Sequence, residues 1–231
     1  MFFGIISAGE GSRLAKEGIG LPKPLVPVFG VPMIERLIRI MNGCGAERIA
    51  VILNGESMET VALLRDLAVE MPIDLIVKKT PTPMHSLMEL APFLRGDRFC
   101  VTTVDTVFRA SLFSTMMDEF SGTSTDGLMG VTSLIDDEKP LYVDVDDEMM
   151  IKGFNDMQDN CRYVSAGIYA LKAAALDVLE GCLQSGQTRM RYFQRQLLDS
   201  GMRLKAYDMG QVVDLDHVSD IVRAEQIAAQ E

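Results

Sequence analysis

Residues 5–23 read IISAGEGSRLAKEGIGLPK: an apolar run stops in a tract of small residues, and a cationic side chain follows at once. Residues 3–7 read as a strand. The tract Ser7-Ala8-Gly9-Glu10-Gly11-Ser12 lets backbone approach a ligand closely, and successive N–H groups in such a turn form a concavity suited to anions. Arg13 adds a permanently charged fork matched to phosphate oxygens. Pro22 restricts the chain just ahead of Lys23, which can bring a second cation to the same place.

Two familiar glycine loops fit this tract poorly. A dinucleotide fingerprint, GxGxxG, finds Gly9 and Gly11 but meets Leu14 at its third glycine, and no acidic residue ends the second strand. A nicotinamide-dependent oxidoreductase is therefore disfavoured. The phosphate loop GxxxxGK[ST] is absent.

Outward from the loop, β-rich runs alternate with helical patterns. Helices are predicted over 32–44, 57–70 (capped by Ser57), 84–94 and 110–120. Strands are predicted over 48–53, 73–78 and 99–103. Such alternation implies right-handed βαβ units and a mostly parallel sheet. From Gly127 the rhythm becomes β-rich, with strands over 128–132, 141–145, 149–154 and 163–171 and a hairpin turn at Asp146-Asp147. Helices return over 173–183 and 190–200. Short strands over 204–208 and 212–215 precede a closing helix over 217–229, with Asp216 as its expected cap. No repeat or linker interrupts the chain. One domain over 1–231 is expected, with a nucleotide-binding half over about 1–126 and an acceptor-binding half over about 127–231.

Composition narrows the partners. The 231 residues carry 22 Lys+Arg against 33 Asp+Glu, a formal charge of −11, so broad binding to a phosphate backbone is disfavoured. A small anionic ligand stays compatible, because a local pair of cations works inside an acidic protein. No apolar run approaches the roughly 18 residues of a membrane span, and residues 1–6 lack the flanks of a secretory signal. Cys44, Cys100, Cys161 and Cys182 form no CxxC pair and read as free thiols of a reducing cytoplasm. A cytoplasmic protein without nucleic-acid or membrane partners is expected; the sequence leaves homo-oligomerisation open.

Residues 7–14 (SAGEGSRL) and 22–34 (PKPLVPVFGVPMI) match a longer composite: a strand, AAGxGxRL, a variable gap, then PKPLxPVxGxPxI. In this the chain resembles the sugar-phosphate nucleotidyltransferases and their relatives, which include phosphocholine cytidylyltransferases and MobA-type enzymes. The likeness extends along the chain. Residues 101–108 (VTTVDTVF) resemble the family's strand-ending acidic motif, 165–169 (SAGIY) its acceptor-side strand, and 213–221 (VDLDHVSDI) its closing acidic motif.

The resemblance implies an α/β fold of three α/β/α layers with a mixed, mainly parallel sheet, Rossmann-like and of the GT-A, nucleotide-diphospho-sugar transferase type. It implies transfer of NMP from an NTP to a phosphorylated small acceptor, foremost a sugar 1-phosphate, with release of pyrophosphate. Cytidylyl transfer to a non-sugar phosphate such as phosphocholine, and a non-catalytic nucleotide sensor with the same fold, are the alternatives. Arg13 and Lys23 are the implied catalytic residues. Ala8, Gly9, Gly11, Ser12, Thr82 and Ser86 are implied to bind the nucleotide, with Ser86 open to a second reading as a helix cap. Asp105 and Asp214 are implied to bind Mg²⁺. Histidine and valine replace the Thr-Pro of the closing motif, which leaves Asp216 as the rival to Asp214. A phosphate acceptor is largely ionised at neutral pH, its second pKa being about 6, so no strong base is needed. That suits a chain with two histidines.

Two features depart from sugar-specific members. Their EKP triplet corresponds here to 154–158 (FNDMQ), without the lysine that touches the acceptor phosphate; Lys152, Arg162, Arg189 and Arg191 are possible stand-ins. No C-terminal hexapeptide repeat is present, so an added acetyltransferase domain is not expected.

Overall fold

Alternation at the first strand sets the layers. In β1 (Phe2–Ser7), Phe3 and Ile5 face one side of a sheet and Ile6 the other. In β4 (Arg48–Leu53), Ile49, Val51 and Leu53 share the side of Phe3, while Ala50 and Ile52 share that of Ile6. Strands apolar on both faces must be covered on both. The computed structural model describes residues 1–8, 12–54, 57–135 and 139–229; the expected ligand-binding glycines Gly9 and Gly11 lie outside them.

Besides β1 and β4, the main sheet holds β5 (Ile73–Val77), β6 (Arg98–Thr103), β8 (Gly127–Thr132), β9 (Tyr142–Val145), β10 (Ile151–Asn155), β11 (Tyr163–Lys172) and β12 (Leu204–Asp208). Two-residue ladders are formed by β2 (Pro27–Val28) with β3 (Val31–Pro32), and by β7 (Thr106–Val107) with β13 (Val213–Asp214). β5, β4, β1 and β6 run parallel; β11 pairs antiparallel with β6 and β8, and β12 returns parallel to β8. The β9–β10 hairpin extends the sheet beside the start of β11.

Helices α2 (Met33–Gly43), α3 (Met58–Leu67) and α5 (Ala110–Gly122) cover the Phe3 face. Helices α4 (Pro83–Leu94), α6 (Ala175–Gln184) and α7 (Met190–Asp199) cover the other. The chain is thus a three-layer α/β/α structure with a mixed, mainly parallel sheet. Gly4 sits beneath α4, where an added Cβ would stand 3.2 Å from Leu94 and 3.4 Å from Leu90; glycine lets this helix approach β1.

A third apolar cluster lies apart from both faces. It joins Leu14 of the short helix α1 (Ser12–Lys16), Val26, Val28, Met33, Val107 and Leu215 to Ala224 and Ala228 of α8 (Val218–Ala228). It ties the beginning of the chain to residues 213–228.

Several boundaries differ from the expected ones. Helix α3 is capped by Ser57, whose hydroxyl accepts from Thr60 N–H at 3.1 Å, but it ends at Leu67 where 57–70 was expected. Helix α8 starts from His217, so Asp216 is not its cap. Residues Thr106–Val107 form a short strand that was not among the expected elements.

Candidate active site

Four turns bring the charged groups together. The first follows β1: α1 buries Leu14 in the third cluster and leaves Arg13 facing a cleft. Nearby, Lys23–Leu25 makes a single 3₁₀ turn, with Pro24 and Val26 buried. That packing fixes the turn and aims Lys23 inward, with its side chain 11% exposed.

Asp105 stands in the turn between β6 and β7. Its neighbour Val104 donates N–H to Ile6 O at 3.0 Å, and Leu215 N–H donates to Asp105 O at 3.0 Å. Thr103 and Thr106 close the turn through a hydroxyl pair at 2.7 Å. Asp214 pairs with Thr106 across the β7–β13 ladder. Beyond it, Asp220 Oδ2 accepts from the N–H groups of Asp216 at 3.0 Å and His217 at 2.6 Å, holding the strand-to-helix turn. Glu17 clamps the same turn from outside, taking Val218 N–H at 2.7 Å and meeting His217 Nδ1 at 2.6 Å.

The result is a chain of charge. Lys23 Nζ bridges Asp105 Oδ2 at 2.5 Å and Asp216 Oδ1 at 2.6 Å, and Arg13 donates to Asp216 Oδ2 at 2.6 Å. Burial works against the Lys23 ammonium, but the Asp105 and Asp216 carboxylates outweigh it and raise its pKa. Partial burial would lift Asp216; the hydrogen bond and charge of Lys23, then Arg13, hold it below the usual carboxylate range instead. Asp214 differs. Crowding and then the Asp105 carboxylate push it above that range, against a hydrogen bond with Thr106, although its surface stays open to the cleft's water.

Two clefts meet at Arg13 and Asp216. One, of about 410 Å³, is lined by Ser7, Ser12, Lys23, Thr103 and Asp105 among others. The second, of about 600 Å³, lies toward β8 and β11 and is lined by Thr132, Ser165, Asp214, His217, Ser219 and Arg223 among others. Gly167, in the irregular stretch of β11 beside this second cleft, has φ +71 and would place a Cβ 3.6 Å from Thr106 Oγ1.

The sequence-predicted residues fall into three groups. Arg13, Lys23, Asp105 and Ser12 share the first cleft, with Ala8 following Ser7 at the end of β1; Asp214 lines the second. Asp216, the rival of Asp214, is the carboxylate that shares Lys23 with Asp105. Thr82 and Ser86 line neither described cleft. Thr82 caps α4 and meets His85 Nδ1 at 2.8 Å, so Ser86 is not the cap. Ser86 is 1% exposed, and its hydroxyl pairs with Thr80 at 2.6 Å. Of the stand-ins for the missing lysine, Lys152 pairs with Asp146 at 2.6 Å, Arg191 with Asp156 at 2.5 Å, and Arg162 lies over Tyr163. Besides Arg13, Arg223 lines the second cleft, and it was missed; its spacing three residues after Asp220 on α8 was the available signal.

The carboxylates offer hard oxygens, the donor type Mg²⁺ prefers. Among the described residues no cluster of three or more His, Cys, Asp or Glu forms a metal cage. This donor set fits an ion that keeps water and phosphate oxygens in its shell. No helix among the described residues is long and apolar enough to cross a membrane.

Comparison with known proteins bears on the family and the fold. A bifunctional protein GlmU of Methanococcus maripaludis is 23% identical over 227 residues, covering 95% of this chain and 52% of its own length. The chain thus spans about half the length of the curated relatives it matches over most of its extent. A 2-aminoethylphosphonate cytidylyltransferase of Lancefieldella rimae is 46% identical over 48 residues, 21% of this chain and 20% of its own length. Among solved structures, the inositol-1-phosphate CTP transferase of T. maritima superposes with a TM-score of 0.77 at 18% identity, covering 98% of this chain and 97% of its own. A Bacillus anthracis protein assigned as a glucose-1-phosphate thymidylyltransferase, crystallised with sucrose, gives a TM-score of 0.85 at 21% identity, covering 100% of this chain and 96% of its own. These likenesses carry the fold. The family model of the MobA-like NTP transferase domain matches residues 4–197, and to that family this chain belongs.

Proposed function

We propose that the protein is a nucleotidyltransferase, transferring NMP from an NTP to a phosphorylated small acceptor. The observation that carries this reading is the Lys23 ammonium held between Asp105 and Asp216, with Arg13 on the second oxygen of Asp216, where two clefts meet. The nucleotide takes the first cleft and the acceptor the second.

An acceptor phosphate oxygen attacks the α-phosphorus. The new P–O bond forms as the bond to the β-phosphate oxygen breaks, and pyrophosphate leaves with that electron pair. Arg13 offers its guanidinium to the departing charge, and Lys23 holds α-phosphate and acceptor oxygens together. No side chain takes a proton from the acceptor; His217, held by Glu17, orients the turn that carries Asp216. Asp105 and Asp216, with Asp214 beside them, would hold Mg²⁺, which when bound neutralises phosphate charge. The nucleotide would have to draw Lys23 away from one carboxylate to open that place.

Sugar 1-phosphates lead the acceptor candidates, supported by the sugar-phosphate and inositol-phosphate enzymes of this fold. A zwitterionic phosphate or phosphonate is the second reading. It is favoured by the acids Asp214 and Asp220 in the acceptor cleft and by the likeness to the aminoethylphosphonate enzyme. The test incubates the protein with each NTP, Mg²⁺ and a panel of sugar 1-phosphates, inositol 1-phosphate, phosphocholine and 2-aminoethylphosphonate, and measures pyrophosphate. Turnover with one pair is expected. Folded protein that binds NTP without releasing pyrophosphate with any acceptor would favour a sensor instead.

A further inference from the structure

The polar side chains of the first cleft are nearly all engaged. Lys23, Asp105, Asp216 and Arg13 hold one another, and Thr103 is bonded to Thr106. Ser7 is the buried exception. It closes β1, lines the cleft and is 5% exposed, yet its Oγ has no hydrogen-bond partner among the described residues. A buried hydroxyl left unpaired costs free energy, and a native chain retains one where something else completes it. Nothing in the packing of β1 demands serine. The strand's other residues on that side, Phe3 and Ile5, are apolar and fully buried, and alanine would fill the same space.

We propose that Ser7 Oγ is a specificity-determining group that hydrogen-bonds the nucleoside of the bound NTP. The phosphates have their own partners in Arg13 and Lys23; a neutral hydroxyl that both donates and accepts suits the base edge or ribose instead. The inference rests on the reading of this cleft as a nucleotide site.

The test measures binding by calorimetry for ATP, GTP, CTP, UTP and dTTP, and for inorganic pyrophosphate, with wild type, Ser7→Ala and Ser7→Cys. Cysteine replaces the oxygen with a larger sulfur that hydrogen-bonds only weakly. The preferred NTP is expected to bind both variants roughly 3- to 10-fold more weakly, while pyrophosphate binds all three proteins alike. The ligand-free thermal midpoint of Ser7→Ala is expected to equal or exceed that of wild type, since an unpaired hydroxyl has been removed. Unchanged NTP affinity in both variants overturns the role of Ser7. So does an equal loss for pyrophosphate, which would mean that Ser7 shapes the loop rather than touching the nucleoside. Wild type that binds no NTP overturns the nucleotide site itself, and this inference with it, and is distinct from the other outcomes because it appears before any variant is made.

Discussion

Replacing Lys23 with methionine keeps the aliphatic stem and removes the charge from the centre of the cluster. Nζ lies 2.5 Å from Asp105 and 2.6 Å from Asp216, whose side chains are 22% and 36% exposed. Breaking a fully buried pair on one side costs about 3–5 kcal/mol. Water reaches Asp216 and screens part of the repulsion, so about 1–3 kcal/mol is expected here. For a chain of this length each kcal/mol moves the thermal midpoint by about 2–4 °C, so Lys23→Met should melt roughly 2–12 °C below wild type without divalent ions. The sharper expectation concerns Mg²⁺. In wild type the ammonium competes with any cation for the two carboxylates; in Lys23→Met that competitor is gone. Adding Mg²⁺ should therefore raise the midpoint of Lys23→Met more than that of wild type, although NMP transfer by the variant falls roughly 10²-fold or more. Differential scanning calorimetry across a Mg²⁺ series reads both effects. Equal Mg²⁺-induced shifts in the two proteins would refute the reasoning that Lys23 occupies the place of a bridging cation.

Three further expectations follow from the geometry. Arg223→Gln should raise KM for the phosphorylated acceptor about tenfold while leaving KM for the NTP unchanged in steady-state assays, because Arg223 lines only the second of the two clefts described. Gly167→Ala forces a Cβ into φ +71 and should cost about 1–2 kcal/mol in urea unfolding, with Gly167→Asn costing less because asparagine visits the left-handed region more readily. The His217–Glu17 contact should make stability depend on pH. The hydrogen bond to Glu17 raises the His217 pKa above its ordinary 6.5, so its contribution is complete below that value and fades as pH rises through the elevated one. Urea midpoints should therefore separate wild type from Glu17→Gln more at pH 5.5 than at pH 8.

The layers of the fold were legible because long elements repeat their signal. Five-residue or longer strands such as 48–53, and helices such as 33–43 with apolar residues at 34, 37, 38 and 41, announce themselves by periodicity. The first half of the cleft was legible for a different reason, since Arg13 and Lys23 stand within one continuous motif. The second half was harder. β7 and β13 have two residues each, too few for any period, and their pairing alone sets which acid faces Lys23. Asp214 is in the ladder, and Asp216 stands two residues further on, in the turn that Asp220 holds. Ser86 reads equally as a cap or a ligand until the structure puts the helix start at Pro83 and buries it. Arg223 belongs to a helix whose neighbours are known only after α8 packs onto β2 and β7.

The contact between Lys23 and Asp216 spans 193 positions of sequence. Closing so long a loop is entropically costly and slow relative to forming βαβ units. The third apolar cluster, which joins α8 to Leu14 and Val28, helps to offset that cost. A chain in mid-synthesis has Arg13, Lys23 and Asp105 long before it has Asp216. It passes through a stage in which Lys23 has only Asp105 and Arg13 lacks its acidic partner, and it gains the full array only when residues 213–228 dock.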